Sequence, residues 1–555
     1  MMIGIVLLFL RTHFVEAESD LYLGETMDLM NQESSHNRNA QQWEYEEWSV
    51  ENPTYGGNPF DLVALVTFEH QESGEIRRTQ MFYAGDNTWK FRFTATQPGE
   101  WQFTSQSVAP ALNGLSGTIN VSANPQGRGF VTHFDEKWGW SGTGEVFVPQ
   151  LSMYKFPFFF HDQPEVVDAD IEEFLNRHGF NGFHVPNIAG GWFDIEKTNG
   201  KIDSTMTDPD IRTFEALEML ISKVYANGGM VHIWLWGDEE RKQTPLGLAG
   251  GINGAVDQRL QRYIAARLGP LPGWTIGYGF DLWEWVQGAQ LTTWHESMHS
   301  HMGWSHLLGA RSSKNKFTQL SEQLDYSGYE QHRPDYETYV ETITQRPHKP
   351  SFSEDRFRIG NNHPYKDYDM TMIRRGLYHS TMAGGVANIW GNLVGSTHEE
   401  GSAPYPNPEW IKTYSTFFEH RFSIDLQRCN DLTNGVCLQR PTNSHYIFYR
   451  ENTDTIRMNL SALVGTQPAI AVDAKKAYVE IPLDAFKSGD QTWTAPYVSD
   501  WVIAIGDFEI GADPSPEETP TATPTVTPES TPTATPQSTS VPVQCPCLYL
   551  PLLEQ

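Results

Sequence analysis

Gly273-Trp274-Thr275-Ile276-Gly277-Tyr278-Gly279-Phe280-Asp281-Leu282-Trp283-Glu284-Trp285 reads as a buried strand that runs straight into a carboxylate-bearing turn. A short, mostly apolar run suits a parallel strand covered on both faces. Comparable runs occur at 147–151, 183–187, 230–236, 274–280, 306–310, 324–327, 350–353 and 386–390. Helical patterns, such as 166–177 and 210–227, lie between most of them. About eight β/α units over roughly 270 residues predict a (β/α)8 barrel. A doubly wound sheet is the rival arrangement. No Gly-x-Gly-x-x-Gly or phosphate-binding loop follows an early strand, so nucleotide chemistry has no support.

Outward from this core the pattern changes. Between 40 and 122, runs such as Leu62-Val63-Ala64-Leu65-Val66-Thr67-Phe68 and Trp89-Lys90-Phe91-Arg92-Phe93 are separated by turns such as Gln97-Pro98-Gly99-Glu100. Short strands with regular turns predict an Ig-like β-sandwich. Residues 426–512 return to that alternation, as in Ser444-His445-Tyr446-Ile447-Phe448-Tyr449, and predict a second β-sandwich. The expected class is therefore α/β, with a (β/α)8 TIM barrel over 123–425 between two β-domains. Residues 1–18 hold an apolar run of signal-peptide length, shorter than the roughly 20 residues of a membrane span. Residues 19–39 are polar and expected to be disordered. Residues 513–542 are rich in Thr and Pro and predict an extended stalk. The apolar tail, 543–555, is either a surface-attachment signal or a terminus that packs.

A chain of 555 residues suits several domains. Its net charge of −30 argues against nucleic acid as a partner, because phosphate binding needs clustered Lys and Arg. The 18 Trp and 22 Tyr supply flat faces on which sugar rings stack, although most of them are expected to fill cores. Cys429 and Cys437 flank a turn-rich loop that a disulfide can close, which agrees with a secreted or cell-surface protein. Neither this pair nor Cys545 and Cys547 has His or Cys neighbours at zinc spacing. No metal and no cofactor is expected, on the reading that no His-Glu-x-x-His or EF-hand pattern is present.

In a parallel barrel the working side chains gather where strands end. Those positions supply His184 and Asn187 (second strand), Trp234, Trp236 and Asp238 (third), and Asp281 and Glu284 (fourth). They continue with Arg311 (fifth), Tyr326, Tyr329, Glu330 and His332 (sixth), Glu354, Asp355 and Arg356 (seventh), and Trp390 (eighth). Carboxylates on the fourth and seventh strands face each other across such a barrel. Glycosidic-bond hydrolysis needs that pairing: one group protonates the leaving oxygen while the other attacks or activates water. Glu354 is the expected nucleophile or base, and Arg356 can keep a nearby carboxylate ionised. Asp281 or Glu284 is the expected acid. The structural alternative makes Asp281 a helix N-cap, with Glu284 completing a capping box. His184, Asn187, Trp234, Trp236, Asp238, Arg311, Tyr329, His332, Arg356 and Trp390 are the substrate-binding candidates.

The stretches Asn58-Pro59-Phe60, Phe82-Tyr83-Ala84-Gly85, Trp89-Lys90-Phe91-Arg92-Phe93 and Pro98-Gly99-Glu100-Trp101 resemble a β-sandwich module of unknown function that commonly precedes glycoside hydrolase barrels. Ser353-Glu354 and the run Ala383-Gly384-Gly385-Val386-Ala387-Asn388-Ile389-Trp390-Gly391 resemble the apiosidase-like glycoside hydrolases. Ala471-Val472-Asp473-Ala474 and Asp500-Trp501-Val502-Ile503 look like the domain, named for collagen binding, that follows such barrels. The resemblance implies Asp281 and Glu354 as the catalytic pair. Two places depart from the family. Met153-Tyr154-Lys155-Phe156-Pro157 stands where it has Gly-Asp-Thr and a Trp, and Gly279-Phe280-Asp281 where it has Gly-Gly-Asp.

The expected function is thus a secreted glycoside hydrolase acting on a polysaccharide or its oligosaccharides, tethered to a surface through its tail. Two alternatives stay open. A polysaccharide lyase would use Arg311 and His332 as candidates for neutraliser and base, and a carbohydrate-binding or adhesin protein would use the barrel as a scaffold. The oligomeric state stays open too.

Overall fold

The computed structural model describes residues 36–311, 321–330, 335–359, 367–391 and 401–508, the side chains of 355–359 and 367–368 excepted. The expected leader, stalk and apolar tail lie outside the described residues, as do Cys545 and Cys547.

Eight parallel strands close on themselves: β1 (Gln150–Met153), β2 (Gly182–Val185), β3 (Met230–Trp236), β4 (Trp274–Gly279), β5 (Leu308–Arg311), β6 (Tyr326–Tyr329), β7 (Ser351–Ile359) and β8 (Ala387–Gly391). Closure comes from β8, which pairs with β7 at Phe352↔Ala387 and with β1 at Gln150↔Asn388. The expected strand positions are met to within a few residues; β3 matches its expected span. Every residue of β3 is buried, because one face lines the barrel interior and the other meets helices.

The helices between strands are α1 (Pro164–Asp170), α2 (Ile211–Ala226), α3 (Ala255–Leu268), α4 (Gly288–His301), α5 (Tyr336–Gln345), α6 (Met370–Met382) and α7 (Pro408–Phe418). The helix expected at 166–177 begins as α1 and continues as a π-helical segment, Ile171–Arg177. In α2 the Asp210 side chain accepts the Arg212 backbone N–H at 2.9 Å, which caps the first turn. Phe214, Leu217, Leu220, Ile221 and Val224 repeat at three- and four-residue spacing and are buried together. Burying each such side chain contributes about 1.5–3 kcal/mol, so this face holds the helix to the wall.

A hairpin that the sequence did not predict, Val131–Phe134 with Lys137–Trp140, lies ahead of β1. Its Trp138 donates to the backbone oxygen of Ser351, the first residue of β7, at 3.1 Å. Trp138 and Trp140 cluster with Leu151, Tyr326 and Phe352, which closes the end of the barrel where strands begin.

The N-terminal region forms a five-stranded sheet and a three-stranded sheet around Trp48, Phe68, Phe91, Phe93, Trp101 and Phe103. Alternation in Ala64–His70 places Ala64, Val66, Phe68 and His70 inward. The barrel contributes Trp304 to this core, and Phe82 of the sandwich enters the core around the helices. Between the two, Arg92 and Arg267 both bind the Glu218 carboxylate, with closest contacts of 2.7 and 2.5 Å.

The C-terminal region is a six-stranded antiparallel sheet whose two long strands, Tyr446–Asn459 and Asp490–Ile505, shift register near Arg450 and Thr453. It wraps sandwich-like over its own core, which includes Tyr446, Phe448, Met458, Trp501 and Ile503. Its other face meets the barrel through Tyr378 of α6, stacked on Tyr449 at 4.4 Å. Cys429 and Cys437 form the disulfide.

Candidate active site

Strand alternation decides which residues enter the barrel. On β7 the residues Phe352 and Glu354 point inward, while Ser351 and Ser353 point to the helices. Pairing with β8 runs Ser353↔Asn388 and then Arg356↔Ile389, so Glu354 and Asp355 bulge out of register. A bulge bends a strand locally and re-aims a side chain. It does so here for Glu354, which is fully buried.

The Glu354 carboxylate reaches across the interior. Tyr326 of β6 donates its hydroxyl to Glu354 Oε1 at 2.6 Å. His232 Nε2 of β3 lies 3.3 Å from the same oxygen and 3.0 Å from the Tyr326 hydroxyl. Glu354 Oε2 has no hydrogen-bond partner among the described residues. Two glycines make the space: a Cβ at Gly277 would sit 2.8 Å from Oε1, and one at Gly328 would sit 2.6 Å from Oε2. Burial pushes the Tyr326 phenol far above its usual value, with Glu354 adding to the effect, so it stays a donor. Burial lowers His232 against the opposing pull of Glu354, which favours a neutral imidazole.

Above this level Arg311 organises the rim. Its guanidinium contacts Asp281 at 2.9 Å and Glu330 at 3.0 Å, and it also donates to the Glu354 backbone oxygen at 3.2 Å. Asp281 begins a 3-10 turn, Leu282–Glu284, in a left-handed conformation (φ 52°), but its side chain makes no cap hydrogen bond. The capping-box alternative therefore does not hold: Arg311 takes the carboxylate instead. Glu284 is exposed, and its carboxyl is raised by partial burial and then by Asp281, Asp238, Glu240 and Glu330. The adjacent Trp283 is 52% exposed, which leaves an indole face open beside these acids.

The other candidates divide. Trp234 lines the interior between His184 (4.4 Å), Phe280 (5.4 Å) and the Arg311 guanidinium (5.7 Å). His184 is fully buried, with its Nδ1 2.9 Å from that of His232, below the rim. Asn187 is engaged in loop structure, donating to Asn199 at 2.9 Å and to Gln243 at 3.2 Å. Asp238 accepts the Glu240 backbone N–H at 2.7 Å and lies 3.4 Å from Arg241. Trp236 packs into the core around the helices, apart from the cluster that holds Trp234.

Two expectations need correction. Trp390 points away from the interior: it donates to Gln150 at 2.7 Å and packs under Gly376 of α6. Tyr329 likewise faces outward into the helix-side core. Both sit one residue out of phase with the inward positions of their strands, Ile389 and Gly328. His332 lies outside the described residues, as does the Arg356 side chain.

Residues that the sequence did not single out are His232, Gly277, Gly328 and Trp283; Tyr326 and Glu330 stood among the residues at the sixth strand's end without a role. The signal for Tyr326 is its even spacing with Gly328 and Glu330, which puts all three on one face of β6.

Residues 39–108 match the family model described as a domain of unknown function, DUF5060. No curated protein sequence matches the chain. Among solved structures, the chain is similar to a candidate glycoside hydrolase from Bacteroides vulgatus, with a TM-score of 0.65 and 17% identity. That alignment covers 84% of this chain and 99% of the other. It is also similar to a glycoside hydrolase family 5 structure from the same organism, with a TM-score of 0.52 and 14% identity, covering 69% and 94% of the two chains. A further structure described as a glycoside hydrolase has a TM-score of 0.52 at 12% identity, covering 69% and 98%. At these identities the likeness is one of fold.

Proposed function

We propose that this chain is a glycoside hydrolase that cleaves a polysaccharide or its oligosaccharides with two carboxyl groups. The observation that carries the reading is Glu354. Its carboxylate is buried in the barrel, one oxygen is held by Tyr326, and the other has no hydrogen-bond partner among the described residues. An oriented carboxylate of this kind is suited to attack an anomeric carbon or to activate water. The proton donor comes from the rim, where Asp281 and Glu284 follow β4. The raised carboxyl of Glu284 favours the protonated form that an acid needs. Asp281, held by Arg311, serves as the alternative acid or positions the sugar. The open face of Trp283 is a platform for a sugar ring.

Arg311 argues against the lyase alternative, since it already neutralises Asp281 and Glu330. The described helices include none long and apolar enough to cross a membrane. Export through the N-terminal leader and attachment through the C-terminal tail belong to the same proposal, as does the likeness to apiosidase-like enzymes.

The test is a panel of polysaccharides assayed for new reducing ends and for ultraviolet absorbance. Reducing ends without absorbance, lost in Glu354→Gln, support hydrolysis. Absorbing products indicate a lyase. Binding without turnover indicates a scaffold protein.

A further inference from the structure

Helix α4 carries His295-Glu296-Ser297-Met298-His299, a His-Glu-x-x-His stretch, which corrects the expectation that the sequence has no such pattern. The two histidines are four residues apart, so both project from one face of the helix. That face meets Asp325, the residue just before β6. His295 Nε2 lies 3.1 Å from Asp325 Oδ1, and His299 Nε2 lies 2.9 Å from Asp325 Oδ2. Ligand atoms of all three residues fall within 4.8 Å of one another.

We propose that His295, His299 and Asp325 form a binding site for a divalent cation of the zinc class. Zinc bonds of about 2.0–2.2 Å to nitrogen and oxygen set neighbouring tetrahedral ligands about 3.3 Å apart. The observed nitrogen-to-oxygen separations are within a few tenths of an ångström of that spacing, so small movements admit an ion. A second observation points the same way. His295 Nε2 is buried and, among the described residues, makes no well-aligned hydrogen bond, although it lies 3.1 Å from the carboxylate. A metal ion would satisfy it.

The surroundings suit a ligand set. Asp325 Oδ2 also accepts the Leu308 backbone N–H at 2.9 Å, which fixes the carboxylate as outer partners fix metal ligands. Lys349 is occupied nearby, donating to the Leu324 backbone oxygen at 2.7 Å. The three side chains are 13%, 28% and 23% exposed, which leaves an ion a way in and room for water as a fourth ligand. Asp325 stands where β5 and β6 begin, at the end opposite Arg311 and Asp281. A metal there ties α4 to the barrel wall and takes no part in the chemistry at Glu354, so the inference stands apart from the proposed function.

The test uses the full chain, stripped with chelator and titrated with zinc ion alone by calorimetry, with metal content and Tm measured alongside. Saturable, stoichiometric binding and a zinc-dependent rise in Tm that chelator reverses are expected. His295→Asn with His299→Asn should weaken binding by more than about 100-fold. Glu296→Gln, at an exposed position on the same helix, should bind as the parent does. Failure of the parent to bind zinc, or equal affinity in the double variant, overturns the site. Should the double variant not fold, Asp325→Asn is titrated in its place, and unchanged affinity overturns the site equally.

Discussion

The Tyr326 hydroxyl stands 2.6 Å from Glu354 Oε1, and both side chains are fully buried. Tyr326→Phe keeps the ring and removes that donor. A hydrogen bond to a charged group contributes about 1.5–3 kcal/mol. If Glu354 attacks or activates water, kcat should fall about 10- to 100-fold while the fold persists. Steady-state kinetics with circular dichroism checks this, and unchanged kcat would separate Tyr326 from the chemistry.

Gly277→Ala probes the same carboxylate by crowding. The added Cβ would press on Glu354 Oε1 and on Trp234 Cδ1, both under 3 Å away. Overpacking costs about 1–3 kcal/mol of stability. Displacing the carboxylate should cost about 100-fold in kcat. Comparison of Tm with kcat distinguishes the two effects, and loss of stability alone would mean that the carboxylate position is immaterial.

Arg311→Met removes the guanidinium that lies 3.0 Å from the buried Glu330 carboxylate and 2.9 Å from Asp281. Removing one partner of a buried pair destabilises by about 3–5 kcal/mol. The lower end is expected here, because Asp281 is one-third exposed and solvent screens it. Denaturant unfolding measures the change.

Trp283→Ala should leave Tm unchanged, since the indole is half in solvent. If sugars stack on it, KM rises several-fold with a smaller change in kcat. An unaltered KM on every active substrate removes Trp283 from the binding surface.

A pH effect on stability comes from Asp257 in the first turn of α3. Burial raises its carboxyl from 3.8 to about 7 despite the Asn253 backbone N–H and the Gln261 side chain. Between those values the folded chain holds a proton that the unfolded chain has lost. Stability from this group therefore falls as pH rises from about 4 to about 7, and the full cost persists above that. Asp257→Asn should raise Tm more at pH 8 than at pH 5. Thermal melts at the two values read the difference.

The barrel was legible because its strands are short apolar runs between amphipathic helices, and β3 and β4 could be bounded nearly to the residue. Glu354 could be named as a candidate for the same reason, as the first acid after an apolar run. Tyr326 stood among the strand-end residues without a role, while His232 and the two glycines were missed because they are inward positions inside strands, where composition resembles ordinary core. Trp390 and Tyr329 were misplaced by phase: one step along a strand reverses the side chain. The hairpin at 131–140 gave too short an alternation to register. In α4 the histidine spacing was plain in the chain, and only the arrival of Asp325 from a distant segment gives it meaning.

Trp304 lies on the barrel side of the chain yet is buried among the aromatics of the N-terminal sandwich, donating to the Thr94 backbone oxygen at 2.8 Å. Phe82 makes the reverse crossing. A cut near residue 123 would strand each ring in water and open a hole in the body it left. The two regions should therefore melt in a single transition, with slow amide exchange in Thr88–Thr94 persisting for as long as the barrel stands.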